Sequence, residues 1–292
     1  MDVLLLRTMV SVADHGSFSA AAVAMNCVQS NITTRIRRLE SHFGQALFER
    51  GRGGARLTAF GQSAYERAVA LLAQFEAVER DLMDVAGSAA PLRLGAMETA
   101  AAARLPAVLK KLRARCPKAP ISLQTGPTAR LLGLLWDRKV DAAFVAAPVD
   151  ADRFTSVPAF QERLVVVSGV SGRLQGPLLA FTQGCSYRAR AETWLRETGH
   201  SDTEVVEMGS FDGILGCVEA GMGFAVAPER AVRRRPVQSA LKIEALPSPF
   251  AEIETRLAMR HDYQPITAAK ALLEILAGYG TGCEDGAGEG EN

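Results

Sequence analysis

Apolar residues recur along the chain in three rhythms, and the changes of rhythm divide it. In residues 1–57 they keep short helical spacings. Val28, Ile32, Ile36 and Leu39 fall at i, i+4, i+8 and i+11, which predicts one buried helix face, with Gln29, Ser30, Thr33, Thr34 and Arg37 on the opposite one. Upstream, "HGSFSAAAVAMN" predicts a short alanine helix capped by Ser17 or Ser19, then a tight turn around Asn26–Cys27. Over residues 58–87 the spacing becomes a strict alternation of four and three: Ala64, Ala68, Leu71, Phe75, Val78, Leu82, Val85. That heptad seam on an otherwise polar helix favours pairing with another helix, most simply the same one from a second chain.

From Pro91 the pattern turns to strand–helix–strand. "PLRLGAM", "PISLQTG" and "DAAFVAAP" read as strands, separated by the helical "TAAAARLPAVLKKLRARCP" and "PTARLLGLLWDRKV". The theme repeats in strands "PLLAFT", "TEVVEMG" and "GFAVAP", with helices "RARAETWLRETG" and "SFDGILGCVEAG" between them. Short connections between alternating elements predict a parallel, doubly wound sheet in two α/β halves, with a crevice at the strand ends where ligands bind. The Gly- and acid-rich tail, residues 280–292, is expected to be disordered. The domains are thus expected at 1–58, 59–88 (linker helix) and 89–279.

Composition changes this picture little. The 292 residues are 48% hydrophobic and 22% charged, with a formal charge of +1, ordinary for a globular protein and not basic overall. The apolar N-terminal run is interrupted by Asp2, Arg7 and Asp14, so it reads as an amphipathic helix rather than a leader, and no stretch is long enough to span a membrane. Five scattered cysteines form neither a disulfide framework nor a zinc spacing. A cytoplasmic protein without cofactor or metal is expected. Local charge matters more: residues 1–57 hold Arg7, Arg35, Arg37, Arg38, Arg50, Arg52 and Arg56 against only Asp2, Asp14, Glu40 and Glu49. Glutamine, serine and threonine facing outward among arginines suit base edges and phosphates, and periodicity alone leaves this open against a plain solvated surface.

The motif set adds to that reading. "GSFSAAAVAMNCVQSNITTRIRRLESHFGQALFERGRGGARLTAFG" resembles the winged helix-turn-helix of LysR-type transcriptional regulators, element by element and in order. The resemblance implies an N-terminal all-α winged helix-turn-helix, a long linker helix and a C-terminal two-lobed α/β domain of the type 2 periplasmic-binding-protein kind. It implies double-stranded DNA as partner, contacted by Ser17, Gln29, Ser30, Asn31, Thr33 and Thr34, by Arg35 and Arg38 as phosphate contacts or in local ion pairs, and by Arg50, Arg52 and Arg56 of the wing. It also implies a homodimer or homotetramer, contact with RNA polymerase, and a small-molecule effector between the lobes. Val28 departs from the family's Ser or Thr helix cap, and Ser30–Asn31 from a common Pro–Ala.

Carried over by position, the effector residues are Met97, Glu98, Thr99, Thr128, Ala147 and Pro148. Helix N-termini at a crevice favour a small organic anion, although Thr99 and Thr128 equally suit simple helix caps. In the second half Cys185, Ser186, Tyr187 and Arg188 open a helix directly after a strand. A thiol there beside Arg188 is expected to have a lowered pKa. Cys185 then lines a pocket, is a passive buried thiol, or senses oxidants; the residue where the peroxide-sensing members' partner cysteine is expected is Trp194. A small-molecule enzyme or binding protein on the C-terminal lobes is the other class of reading. Against catalysis, no GxSxG, P-loop, GxGxxG or metal-spaced His/Cys set occurs.

Overall fold

The computed structural model describes residues 2–49, 54–169, 174–234 and 241–280. The chain divides between Arg80 and Asp81 into two compact units.

The first unit is built on helices α1 (Val3–His15), α2 (Phe18–Ala24), α3 (Gln29–Phe43) and the start of α4 (Ala59–Val85). Asp2 caps α1 by accepting the Leu5 N–H at 2.8 Å, and Ser17, rather than Ser19, caps α2 through the Ala20 N–H at 3.0 Å. Ile32, Ile36 and Leu39 form the buried face of α3, packed with Leu5, Met9, Val12 and Ala21. Beyond α3 the chain returns on itself in an antiparallel bridge between Phe48 and Leu57. The motif residues around it are joints. Glu40 Oε1 accepts the Leu47 N–H at 2.8 Å, and Thr58 donates its hydroxyl to Ala46 O at 2.7 Å while its oxygen accepts the Gly61 N–H at 2.9 Å.

On α4 the heptad seam turns from its own domain to solvent. Ala68 is buried, as is Leu72 beside the seam, but Leu71, Phe75, Val78, Leu82 and Val85 are 39–85% exposed. A run of apolar side chains this exposed on one helix asks for a cover.

The second unit has strands β1 (Leu92–Ala96), β2 (Ile121–Thr125), β3 (Ala142–Ala146), β4 (Phe154–Gly169), β5 (Leu178–Ala180), β6 (Val205–Glu207), β7 (Ala225–Pro228), β8 (Leu241–Ala245) and β9 (Glu252–Arg260). The main sheet runs β2-β1-β3-β9-β4-β7, with β8 also on β4. Here the structure corrects the expectation of a parallel sheet. β2, β1 and β3 are parallel neighbours, as are β5 and β6, but every pairing of β4 and β9 is antiparallel. The cause is β4 itself, a 16-residue strand that serves both lobes. Phe154–Arg163 pair with β9 in the first lobe, and Leu164–Gly169 with β7 and β8 in the second. The register shifts at Pro158/Phe160, where proline cannot continue the ladder.

Helices α5 (Glu98–Ala103), α6 (Leu105–Arg115), α7 (Thr128–Trp136) and α11 (Thr267–Gly280) belong to the first lobe; α8 (Ser186–Glu197), α9 (Phe211–Glu219) and α10 (Glu229–Arg233) to the second. One apolar core crosses between them, joining Leu131, Leu135 and Val145 to Leu178, Trp194 and Phe224. The tail expected to be disordered lies, beyond Gly280, outside the described residues.

Candidate functional site

Two surfaces hold the candidate residues. The first is the outer face of α3. Gln29, Ser30, Asn31, Thr34, Arg37 and Arg38 are exposed, and Thr33 and Arg35 half-buried. Thr33 and Thr34 donate their hydroxyls back to the carbonyls of Gln29 (3.0 Å) and Ser30 (2.8 Å), which leaves their methyl groups and oxygen lone pairs outward. Gln29 is oriented by Ser19, whose hydroxyl donates to its Oε1 at 3.0 Å. Val28 stands at the helix start, 63% exposed and without a side-chain cap, so the first amide groups of α3 are open to an outside acceptor. Ser17, by contrast, spends its oxygen on the α2 cap. Arg35 and Arg38 were expected as phosphate contacts or in local ion pairs; among the described residues neither has a carboxylate partner. Arg56 is exposed, its carbonyl tied to the Glu49 N–H at 2.8 Å. Arg50 and Arg52 lie outside the described residues.

The second is a cavity of about 330 Å³ between the two lobes of the second unit. Met97, Glu98, Thr99 and Thr128 reach it from the first lobe, and Cys185 and Tyr187 from the second. Sequence reading missed Thr125, the last residue of β2, Gly126, Pro127 and Arg130, which follow it, and Phe181, Thr182, Met208 and Gly209, which follow β5 and β6. Their signal was available, since loops after strand ends line such crevices. Three hydrogen bonds tie the lobes here. Glu98 Oε1 accepts the Phe211 N–H at 2.9 Å, Thr99 donates its hydroxyl to Tyr187 Oη at 3.4 Å, and the Ala129 N–H donates to Gly184 O at 3.3 Å. Thr128 is held inward, its oxygen accepting the Ala146 N–H at 3.3 Å.

Four expected residues are not brought to this cavity. Ala147 is paired by its N–H to Glu254 O of β9, and the exposed Pro148 follows it outward. Ser186 is half-buried but does not line the space. Arg188 turns away, because its guanidinium is claimed by Glu192 one helical turn on (2.8 Å), by Glu207 (2.8 Å) and by Phe181 O (3.1 Å). These partners, Glu192 foremost, raise its pKa further. The expected lowering at Cys185 is also overturned. Burial pushes the thiol above its ordinary 9.0 and outweighs the amide groups of Arg188 and Tyr187 and the charge of Arg188. Burial likewise raises the Tyr187 phenol, which therefore remains a hydrogen-bond donor. Among the described residues no cluster of three His, Cys, Asp or Glu side chains forms a metal site, and no helix is long and apolar enough to cross a membrane.

Known proteins place these two surfaces in one family. The family of bacterial regulatory helix-turn-helix proteins of the lysR type matches residues 4–62, and the LysR substrate binding domain matches residues 86–280. The chain is 32% identical over 274 residues to the uncharacterized HTH-type transcriptional regulator YusT of Bacillus subtilis (strain 168), covering 92% of this chain and 93% of that protein. It is 33% identical over 276 residues to the HTH-type transcriptional regulator YofA of Bacillus velezensis, covering 93% and 96%. The crystal structure of CbnR, a LysR family transcriptional regulator, superposes with a TM-score of 0.71 at 18% identity, covering 95% of this chain and 98% of that one, a likeness of fold. The chain therefore belongs to the LysR family: it is a DNA-binding transcriptional regulator with a helix-turn-helix unit and a substrate-binding domain.

Proposed function

We propose that residues 1–58 read operator DNA, residues 59–88 pair with a second copy, and residues 89–279 bind a small organic anion that sets the regulator's activity in the cytoplasm. The observation that carries the effector site is the cleft of about 330 Å³, walled by both lobes and crossed by hydrogen bonds between them. A ligand there exchanges contacts within the protein for its own and so acts on the angle between lobes. The start of α7 borders the space and carries no side-chain cap, which suits a carboxylate beside Thr128.

On the DNA side, Gln29, Ser30 and Thr33 meet base edges, while Asn31, Thr34, Arg35, Arg38 and the wing arginines hold phosphates. CbnR has been crystallised with its target DNA, and its shared fold supports the same use of α3. The exposed seam from Leu71 to Val85 supports pairing through α4, which presents two recognition helices to successive grooves. The relatives are named as regulators, and the chain is read as a regulator, not a catalyst.

The test is a pull-down of genomic fragments with the purified full-length protein at moderate salt, followed by sequencing. Enrichment of a few sites is expected. Uniform retention of all fragments, or of none, would mean that α3 does not select sequence without an effector.

A further inference from the structure

Charge balance in the cleft narrows the ligand further than the family does. Among the residues lining the cavity, only Glu98 and Arg130 carry formal charge. Glu98 is half-buried and fixed, its Oε1 accepting the Phe211 N–H at 2.9 Å, which leaves Oε2 for another donor. Arg130 is exposed, has no hydrogen-bond or carboxylate partner among the described residues, and lies over Gly126, where an added Cβ would stand 3.3 Å from Arg130 Cδ. The remaining polar groups are uncharged. Thr125 and Thr182 offer hydroxyls, those of Thr99 and Thr128 being engaged within the protein, and burial keeps the Tyr187 phenol and the Cys185 thiol protonated at neutral pH. Met97, Phe181 and Met208 supply apolar wall.

A ligand with only negative charge meets Arg130 well but lies beside the half-buried Glu98 carboxylate, which repels it. An amine alone meets the reverse mismatch at Arg130. A molecule carrying both charges offers a partner to each of the two side chains. A volume of about 330 Å³ lies at the small end of ligand sites, which limits the rest of the molecule to a short side chain. We propose that the cleft takes a zwitterionic α-amino acid with a modest apolar side chain, its ammonium on Glu98 and its carboxylate at Arg130. This rests on the effector reading above: the carboxylate is kept and an ammonium is added.

Calorimetric titration of the full-length protein tests it with L-leucine, L-methionine and L-phenylalanine, each beside its deaminated acid and its decarboxylated amine. At least one amino acid is expected to bind tenfold or more tightly than both of its analogues. Glu98→Gln keeps an acceptor for the Phe211 N–H, so the fold stands, and is expected to bring the amino acid down to its deaminated acid. Arg130→Met is expected to bring it down to its amine. Deaminated acids that bind as tightly as the amino acids overturn the zwitterion and leave the anionic effector standing. An amino acid whose affinity is untouched by Glu98→Gln also overturns it. No heat from any of the nine compounds overturns the proposal, and the DNA-binding reading is then judged by the pull-down alone.

Discussion

Replacing Gly61 by alanine sets two effects of opposite sign against each other. Gly61 lies in the first turn of α4, where helix propensity favours alanine by about 1 kcal/mol. A Cβ there would stand 2.0 Å from the Leu47 carbonyl oxygen and 3.0 Å from its carbon. The Leu47 backbone cannot swing aside, because its N–H is held by Glu40 and its carbonyl accepts the Thr58 N–H at 3.0 Å. Relief requires α4 to lift by roughly 1 Å. That movement opens the Thr58 N–H bond and the Thr58 hydroxyl bond to Ala46 O, each worth about 1 kcal/mol, and overpacking adds about 1–3 kcal/mol. Setting the propensity gain against these, the net destabilisation is about 2–4 kcal/mol. The assay separates the domains, since both tryptophans, Trp136 and Trp194, lie beyond residue 80. In urea, far-UV circular dichroism should show a helical transition about 2 M or more earlier than in the wild type, for an m-value near 1 kcal/mol/M. Tryptophan fluorescence should not move. Gly216→Ala in α9, where an added Cβ meets nothing within 4 Å, should instead raise the fluorescence midpoint slightly. An unchanged or raised dichroism midpoint for Gly61→Ala would refute the steric account and leave propensity in charge.

Arg38→Ala should weaken binding to every duplex alike and lower the slope of log K against log salt by about 0.9, and an unchanged slope removes Arg38 from the phosphate contacts. Thr33→Ala should relax preference at one base pair by about 1–3 kcal/mol when duplexes are selected from a random pool, with the salt slope kept; a retained preference assigns the reading elsewhere. Leu82→Glu on the exposed seam should shift sedimentation toward the monomer, whereas a wild-type distribution would detach the seam from assembly. Because burial raises its pKa, Cys185 should stay a thiol at pH 7 and alkylate more slowly than the same thiol in urea, with a rate still climbing, not levelling, as the pH passes 9.0. Faster alkylation in the folded protein would return the thiol to the reactive class.

Sequence and structure agree where the signal is local. The spacing of Ile32, Ile36 and Leu39, the Ser17 cap and the strand-then-helix order after Pro91 are each written within a few turns of chain. What went unread depends on distant partners. β4 was missed because Pro158 interrupts its pattern and because its two halves face different lobes, so neither alternation nor a single apolar run covers it. β8 is defined by pairing with β4, and β9 by pairing with both β4 and β3. Arg188 was assigned to the cleft from its place at a helix start, although Glu192 four residues on is a partner visible in the sequence. Arg130, outside any motif, reaches the cleft because α7 begins at its edge. The thiol's pKa failed for a similar reason: the helix start is local, but the burial that outweighs it comes from the core shared by both lobes.

The three ties across the cleft also bear on how a ligand could act. A hydrogen bond to a charged group contributes about 1.5–3 kcal/mol and a neutral one about 1, so Glu98–Phe211, Thr99–Tyr187 and Ala129–Gly184 together contribute about 3–5 kcal/mol across the cleft, beside the apolar core that the lobes share. Carrying a two-state equilibrium from 1:99 to 99:1 takes about 5.5 kcal/mol of differential affinity. The two quantities are of the same order. A ligand that merely filled the apolar wall would leave the ties intact and shift little. One that places an ammonium on Glu98 Oε2 draws charge from the carboxylate that also holds the Phe211 N–H, and so weakens the charged tie, the largest of the three. On the amino-acid proposal, Glu98 would then both select the ligand and pass its occupancy to the lobe angle.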